Sequence, residues 1–254
     1  MNLTFKEIIK LAVNEGELPR YIYKYLPIRD DIFSKKTMKF SKSADFNDPF
    51  DCKLELNNQY QQHELEHYFE FNGLRKDIAL EAAKYYTNNS NSWNVYLNNL
   101  IHDELSKCRI CCFSEKNDDI LMWSHYSDKH KGICLKFDLI IDPDFFDIPM
   151  KVQYEVNYPE LNFIRDKGDC LKTILSTKAL DWKYEKEIRI FKQNCLDYIS
   201  FRKEALIEVV FGCKTESSEI SRIMKIANEH DFSHLTFKKA VQKKSMFALD
   251  FESI

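Results

Sequence analysis

The chain of 254 residues carries 37 lysines and arginines against 40 aspartates and glutamates, and 44% of it is hydrophobic. A net charge of −3 supplies no global field toward nucleic acid or a membrane surface, and five glycines with six prolines leave little for flexible linkers. This length buries a substantial core, and it is read as one domain over residues 1–254.

Phe5, Ile8, Ile9 and Val13 recur near helical spacing from an amphipathic start at Met1, and Asn14-Glu15-Gly16 ends them. No secretory segment is read there, and no apolar run approaches the roughly 20 residues that span a bilayer. A cytoplasmic protein with its eight cysteines reduced is expected. Tyr21 to Leu26, closed by Pro27, reads as a strand, Asp30 to Lys35 as a helical turn, and Thr37 to Ser41 as a second strand. Phe46-Asn47-Asp48-Pro49-Phe50-Asp51 is a turn: Asn and Asp bond their own backbone, and Pro49 moves Asp48 out of the α region. It is either a structural turn or a site loop offering Asn47, Asp48 and Asp51.

Residues 60–105 are polar and helical, interrupted at Asn88-Asn89-Ser90-Asn91-Ser92, and are expected to form a peripheral helical lobe. Within them, His63-Glu64-Leu65-Glu66-His67 has the His-Glu-x-x-His spacing that puts two zinc ligands and a general base on one helix face. Polar Gln61, Gln62 and Glu66 and the lack of an evident third ligand favour a solvated face, and His102 reads as surface. Cys108-x-x-Cys111-Cys112 is half a zinc site, so packing is expected there and no metal.

Cys108 to Phe113 reads as a buried strand, followed by a polar cap and the short helix Ile120 to Tyr126. Ile133 to Asp138 and Val152 to Val156 read as strands, and residues 166–181 as a helix. Ala205 to Gly212 is an apolar strand, Ser217 to His230 a helix, and Leu235 to Val241 and Met246 to Phe251 close the chain as strands. The layout is α+β, a mostly antiparallel and possibly split sheet with a helical insert.

The chemistry concentrates in Trp182-Lys183-Tyr184-Glu185-Lys186-Glu187-Ile188-Arg189-Ile190-Phe191. Taken as one strand, period two puts Glu185, Glu187 and Arg189 on one face and Tyr184, Lys186, Ile188 and Ile190 on the other. Unpaired buried charge is costly, so that face is either a solvated edge or the wall of a polar cleft. The neighbouring aromatics favour the cleft. The anchored Asn-Asp-Pro turn and the capped helix, with Trp123, His125 and Tyr126, are expected to share one depression. His125 is either a core histidine or a general base.

Tyr23-Lys24-Tyr25, the Phe46 to Asp51 turn, Met122-Trp123-Ser124-His125-Tyr126 with His130-Lys131-Gly132-Ile133-Cys134, and Trp182 to Arg189 follow one another over about residues 20 to 215. In that order they resemble the bacterial family called domain of unknown function 2971, whose name carries no activity. A basic and aromatic strand, a serine-bearing strand and a later Glu-x-Glu strand are also similar to the ADP-ribosyltransferase superfamily. That resemblance implies a split sheet clamping NAD as substrate. Lys24 or Tyr25 would hold the adenosine side, Ser41 and Ser43 would support the cleft, and Glu187 would bond the nicotinamide ribose. Glu185 would face the acceptor, Arg189 would keep Glu187 charged, and Trp123 or Tyr126 would stack on nicotinamide. The chain departs from the pattern in having Lys24 where Arg or His is usual, and in lacking a threonine between Ser41 and Ser43. The implied activity is transfer of ADP-ribose to a macromolecule or hydrolysis of NAD, in a toxin or phage-defence setting.

Other classes remain open on the same residues. One is a sensor or interaction module whose aromatic cleft binds a nucleotide or peptide without turnover. Another is a metal-dependent nuclease on Asp48, Asp51, Glu185, Glu187 and His125, which their loose spacing disfavours. Glycine-rich nucleotide loops of the Rossmann or P-loop kind are absent.

Overall fold

Eight strands make the main sheet: β1 Tyr21–Leu26, β2 Cys108–Ser114, β3 Ile133–Asp138, β4 Met150–Lys151, β5 Glu187–Gln193, β6 Leu206–Phe211, β7 Thr236–Gln242 and β8 Leu249–Ser253. The computed structural model describes residues 3–53, 55–56, 59–166 and 169–254. Across the sheet the order is β8-β7-β6-β3-β1-β2-β5-β4. Strand β1 is antiparallel to β2 and β3, as are β3 to β6, β4 to β5 and β7 to β8. Strands β6 and β7 run parallel. A parallel neighbour needs a crossover, and the helix Ser217–Glu229 supplies it. The fold is α+β with a mostly antiparallel sheet, as the strand pattern predicts.

Contacts group the chain into two units. The first holds the residues up to Ser41, Arg109–Val152 and Asp181–Ile254, and so contains the main sheet. Its helices are α1 Phe5–Asn14, α2 Asp31–Ser34, α3 Ile120–Tyr126, α4 Pro143–Phe146 and α5 Ser217–Glu229. Alternation along the strands sends Ile22, Leu26, Phe113, Leu135, Phe137, Ile188, Ile190 and Val209 to one core. Ile9 of α1, Ile32 and Phe33 of α2, Phe145 and Phe146 of α4 and Ile223 of α5 pack against them. The opposite face carries Tyr25, Cys134, Val210, Ala240 and Leu249, sealed by Met122 and Trp123 of α3. The fully buried Trp123 meets Tyr25 edge-on at 5.3 Å, and its indole N–H donates to the Asn117 carbonyl at 2.8 Å. Asp119 caps α3 by accepting from the Leu121 and Met122 N–H groups.

The second unit, 42–108 and 153–180, has its own core of Leu65, Tyr68, Phe69, Ala79, Ala83, Trp93 and Leu97. Its helices are Gln62–Phe71, Lys76–Asn88, Ser90–Lys107 and Asp169–Ser176. The sequence suggested a lobe confined to 60–105. Phe163 and Ile164 also pack on that core, and the Phe163 N–H donates to the Tyr60 hydroxyl at 3.1 Å, so a distant segment completes it. The helix expected over 166–181 is shorter and gives way to a strand at Thr177–Ala179, with 167 and 168 outside the described residues. Met1 and Asn2 of the expected first helix also lie outside them. No helix among the described residues is long and apolar enough to cross a membrane.

None of the eight cysteines is paired in a disulfide. Burial pushes the thiols of Cys111 and Cys134 and the phenol of Tyr25 upward. The unfolded chain therefore gives up these protons first. Their contribution to stability is complete below about pH 8.5 and is lost as pH rises past the unfolded values of about 8.5 and 10 toward the folded ones. Urea unfolding at about pH 7.5 and about pH 10.5 should show the loss, each group costing about 1.4 kcal/mol per pH unit beyond its unfolded value. Equal stability at the two pH values would refute this assignment.

Candidate functional site

Trp182 to Phe191 is not one strand, contrary to the sequence expectation. Leu180–Glu185 forms 3-10 turns, Lys186 takes a left-handed φ of 47°, and β5 begins at Glu187. A left-handed lysine costs about 1 kcal/mol, so tertiary contacts must hold it. The end of β2 does so: Ser114 Oγ donates to the Glu185 carbonyl at 2.6 Å, and the Glu115 N–H donates to the Lys186 carbonyl at 2.9 Å.

The kink separates two carboxylates that are both buried. Glu185 is 2% exposed, Glu187 5% and Arg189 0%. A solvated edge is thereby excluded. Arg189 donates to Glu187 through Nε at 2.8 Å and Nη2 at 3.2 Å, a two-pronged charge-assisted pair. Tyr126 of α3 donates its hydroxyl to Glu185 Oε1 at 2.7 Å. Tyr23, Tyr126 and Tyr184 pack on the same side of the sheet. Cys112 of β2 also lies beside Glu187. Burial, and after it the Glu187 carboxylate, holds its thiol well above the usual cysteine value, so it is no thiolate nucleophile at neutral pH.

The other candidates fall in several places. Lys24 points to the opposite face from Glu187. Its Nζ donates to the Cys112 carbonyl at 2.7 Å and lies 5.7 Å from the centre of the Phe113 ring, on the side of Ile22 and Leu26. Tyr25 shares the Glu187 face, but it is buried and its hydroxyl donates to the Lys116 carbonyl at 3.0 Å. Trp123 is buried with it, so neither ring is open for stacking on a ligand in this conformation. Tyr126 is half-buried, and His125 is exposed, 6.3 Å from the Tyr126 ring centre. Ser41 exchanges backbone hydrogen bonds with Ile110 at 2.8 Å, while Ser43 opens a 3-10 turn in the second unit. Asn47, Asp48 and Asp51 also belong to the second unit, whereas α3 belongs to the first. Asp48 accepts from the Phe50 N–H at 2.9 Å, and buried Asp51 accepts from the Cys52 N–H at 2.7 Å with Lys178 Nζ 3.9 Å away.

Ser114 and Tyr23 are the parts of the site that sequence reasoning missed. The signal was present in Ile22-Tyr23-Lys24-Tyr25-Leu26, because Ile22 and Leu26 claim the core face and take Lys24 with them. Tyr23 and Tyr25 are then left for the other side.

In the second unit, both oxygens of Glu64 are engaged by Arg165 at 2.7 and 3.0 Å, and Oε2 also accepts from the Gln61 N–H at 2.8 Å. The Arg165 hydrogen bonds and then the helix cap pull its carboxyl down to about 2. A carboxylate held this way is a cap and a poor general base. Among the described residues no three His, Cys, Asp or Glu converge as metal ligands. Elemental analysis is expected to find no stoichiometric zinc, and added zinc to leave the melting temperature unchanged. One bound zinc that His63→Ala removes would overturn this.

The first unit is thus an α+β sheet protein with a buried Glu185/Glu187/Arg189 centre beside a tyrosine-lined face. Residues 122–190 match the family model described as protein of unknown function, DUF2971. That segment contains Tyr126, Glu185, Glu187 and Arg189, so the centre falls within the matched region. No curated protein and no solved structure matches the chain, and none of these comparisons points to the ADP-ribosyltransferases.

Proposed function

We propose that the protein is an NAD-using enzyme of ADP-ribosyltransferase type. It cleaves the nicotinamide–ribose bond and passes ADP-ribose to a macromolecular acceptor or to water. One observation carries this reading: two buried carboxylates flank the kink at Lys186, each held by its own donor, Tyr126 for Glu185 and Arg189 for Glu187. Cleavage of this bond sends the bonding pair out with neutral nicotinamide and leaves positive charge on the ribose. A preoriented Glu187 stabilises that charge without reorganisation. Glu185 takes the proton of the attacking hydroxyl or water as the new bond to the ribose forms. Tyr126 keeps Glu185 oriented for that transfer.

The two-pronged pair between Glu187 and Arg189 also suits a second reading, a nucleotide-binding module without turnover, since it fixes both side chains in place. Nicotinamide release from NAD by the purified protein, with and without cell extract, separates the two. Release supports the enzyme. NAD binding without release leaves the binding module, and neither binding nor release overturns both readings.

A further inference from the structure

Helix α3 packs over Tyr25, Cys134, Val210, Ala240 and Leu249 on its face of the sheet. Beside that cover a row of side chains crosses the strands at one level. Tyr23 of β1 stands opposite Ser114 of β2 and Lys136 of β3, Lys136 stands opposite Glu208 of β6, and Glu208 stands opposite Thr236 of β7. At one end, Ser114 bonds the Glu185 carbonyl, which joins the row to the carboxylate centre.

The acids in and beside the row are each paired. Buried Glu208 accepts from Lys238 Nζ at 2.7 Å, and buried Asp138 is paired with Arg20 at 2.9 Å. Lys136 is half-buried and has no carboxylate partner among the described residues. Its ammonium lies 4.5 Å from the centre of the Tyr21 ring, and the Arg20 guanidinium lies 5.3 Å from that same centre. Two cations about one ring hold the tyrosine by cation–π attraction, and leave the Lys136 charge available to an anion. Burial, with Glu208 next in weight, raises the Tyr23 phenol and keeps it a hydrogen-bond donor at neutral pH.

We propose that Lys136, Tyr21 and Tyr23 form a subsite for the diphosphate and base of a nucleotide. The proposal rests on the NAD reading and extends it to the far end of the substrate. Strands β5 and β3 are three sheet positions apart, so about 14 Å separates Glu187 from Lys136 across the sheet. The Lys136 side chain leans over Tyr21 of β1, one strand nearer Glu187, so a dinucleotide laid across the strands with its reacting ribose at Glu187 brings its diphosphate within reach of the ammonium. A lysine ammonium binds phosphate as a point charge; Tyr21, covered by its two cations, positions that ammonium, and the Tyr23 ring is left for the base.

The test uses the full chain, with ADP and NAD as probes. Lys136→Met keeps the apolar stem and removes the charge. It is expected to weaken ADP binding in calorimetry at least about tenfold. It should raise KM for NAD by a similar factor while kcat stays within about twofold, the signature of lost uniform binding. Lys136→Arg should restore most of the affinity. If Lys136→Met fails to fold, Tyr23→Leu serves instead: it should weaken ADP while leaving inorganic pyrophosphate unaffected. NAD cleavage with unchanged KM in Lys136→Met would remove the subsite and leave the enzyme reading standing. ADP binding that depends on Lys136, without nicotinamide release, would keep the subsite and remove the enzyme. A wild-type protein that binds neither ADP nor NAD would overturn both.

Discussion

Glutamine at position 187 is expected to slow nicotinamide release about a hundredfold, the typical loss when one preorganised group facing transition-state charge is removed. Glu187→Gln keeps the shape of the side chain and one acceptor oxygen, but it loses the negative charge that meets the developing cation. The loss should appear in kcat, with KM for NAD little changed, because the charge matters in the transition state more than in the bound substrate. The variant should also melt below the wild type. As a paired strand residue Glu187 would tolerate an isosteric change, but it is buried against Arg189, and the substitution leaves that guanidinium facing a neutral amide. Glu185→Gln still accepts from Tyr126, and it should harm transfer to a macromolecular acceptor more than hydrolysis. Assays of nicotinamide release with and without extract distinguish the variants. A Glu187→Gln protein that releases nicotinamide at the wild-type rate would end the assignment.

Arg189→Met is expected to be the most destabilising change at the site. Arg189 is fully buried and makes two charge-assisted bonds to Glu187. Removing one member of a buried pair costs about 3–5 kcal/mol, chiefly by leaving the other charge poorly compensated. For a chain of this size that corresponds to a fall in melting temperature of roughly 10 °C. Combining Arg189→Met with Glu187→Gln should restore part of the loss, since the second change removes the stranded charge. Thermal melts of the two single variants and the double variant measure this coupling. Strict additivity would show that the pair is not the source of the loss.

Much of the fold was legible from local pattern. Tyr21 to Leu26, the apolar strand at 206–211 and the stripe of α5 all follow from periodicities of 2 or 3.6 that the core then uses. The site was legible in composition but not in backbone path. Glu185, Glu187 and Arg189 are each buried, yet the straight strand drawn through them fails. Its kink is imposed by Ser114 and Glu115, some 70 residues earlier in the chain, and no local window contains that constraint. Lys24 shows the opposite failure. Its neighbours Ile22 and Leu26 already placed it on the core face, and only the resemblance to another superfamily directed attention to its charge. The extent of the second unit was hidden for the first reason, because Phe163 and Ile164 complete a core whose other members lie between residues 56 and 97.

The backbone turn at Lys186 mounts the two carboxylates on different bodies. Glu187 is fixed to the sheet as the first residue of β5 and clasped by an arginine of the same strand. Glu185 precedes the strand and is tethered through a tyrosine to a seven-residue helix that rests on the sheet. The Glu185 backbone is held to β2 by Ser114, so a small shift of that helix swings only the Glu185 carboxylate while Glu187 keeps its place. On the proposed NAD reading, one acid is thereby rigid and the other adjustable to the acceptor.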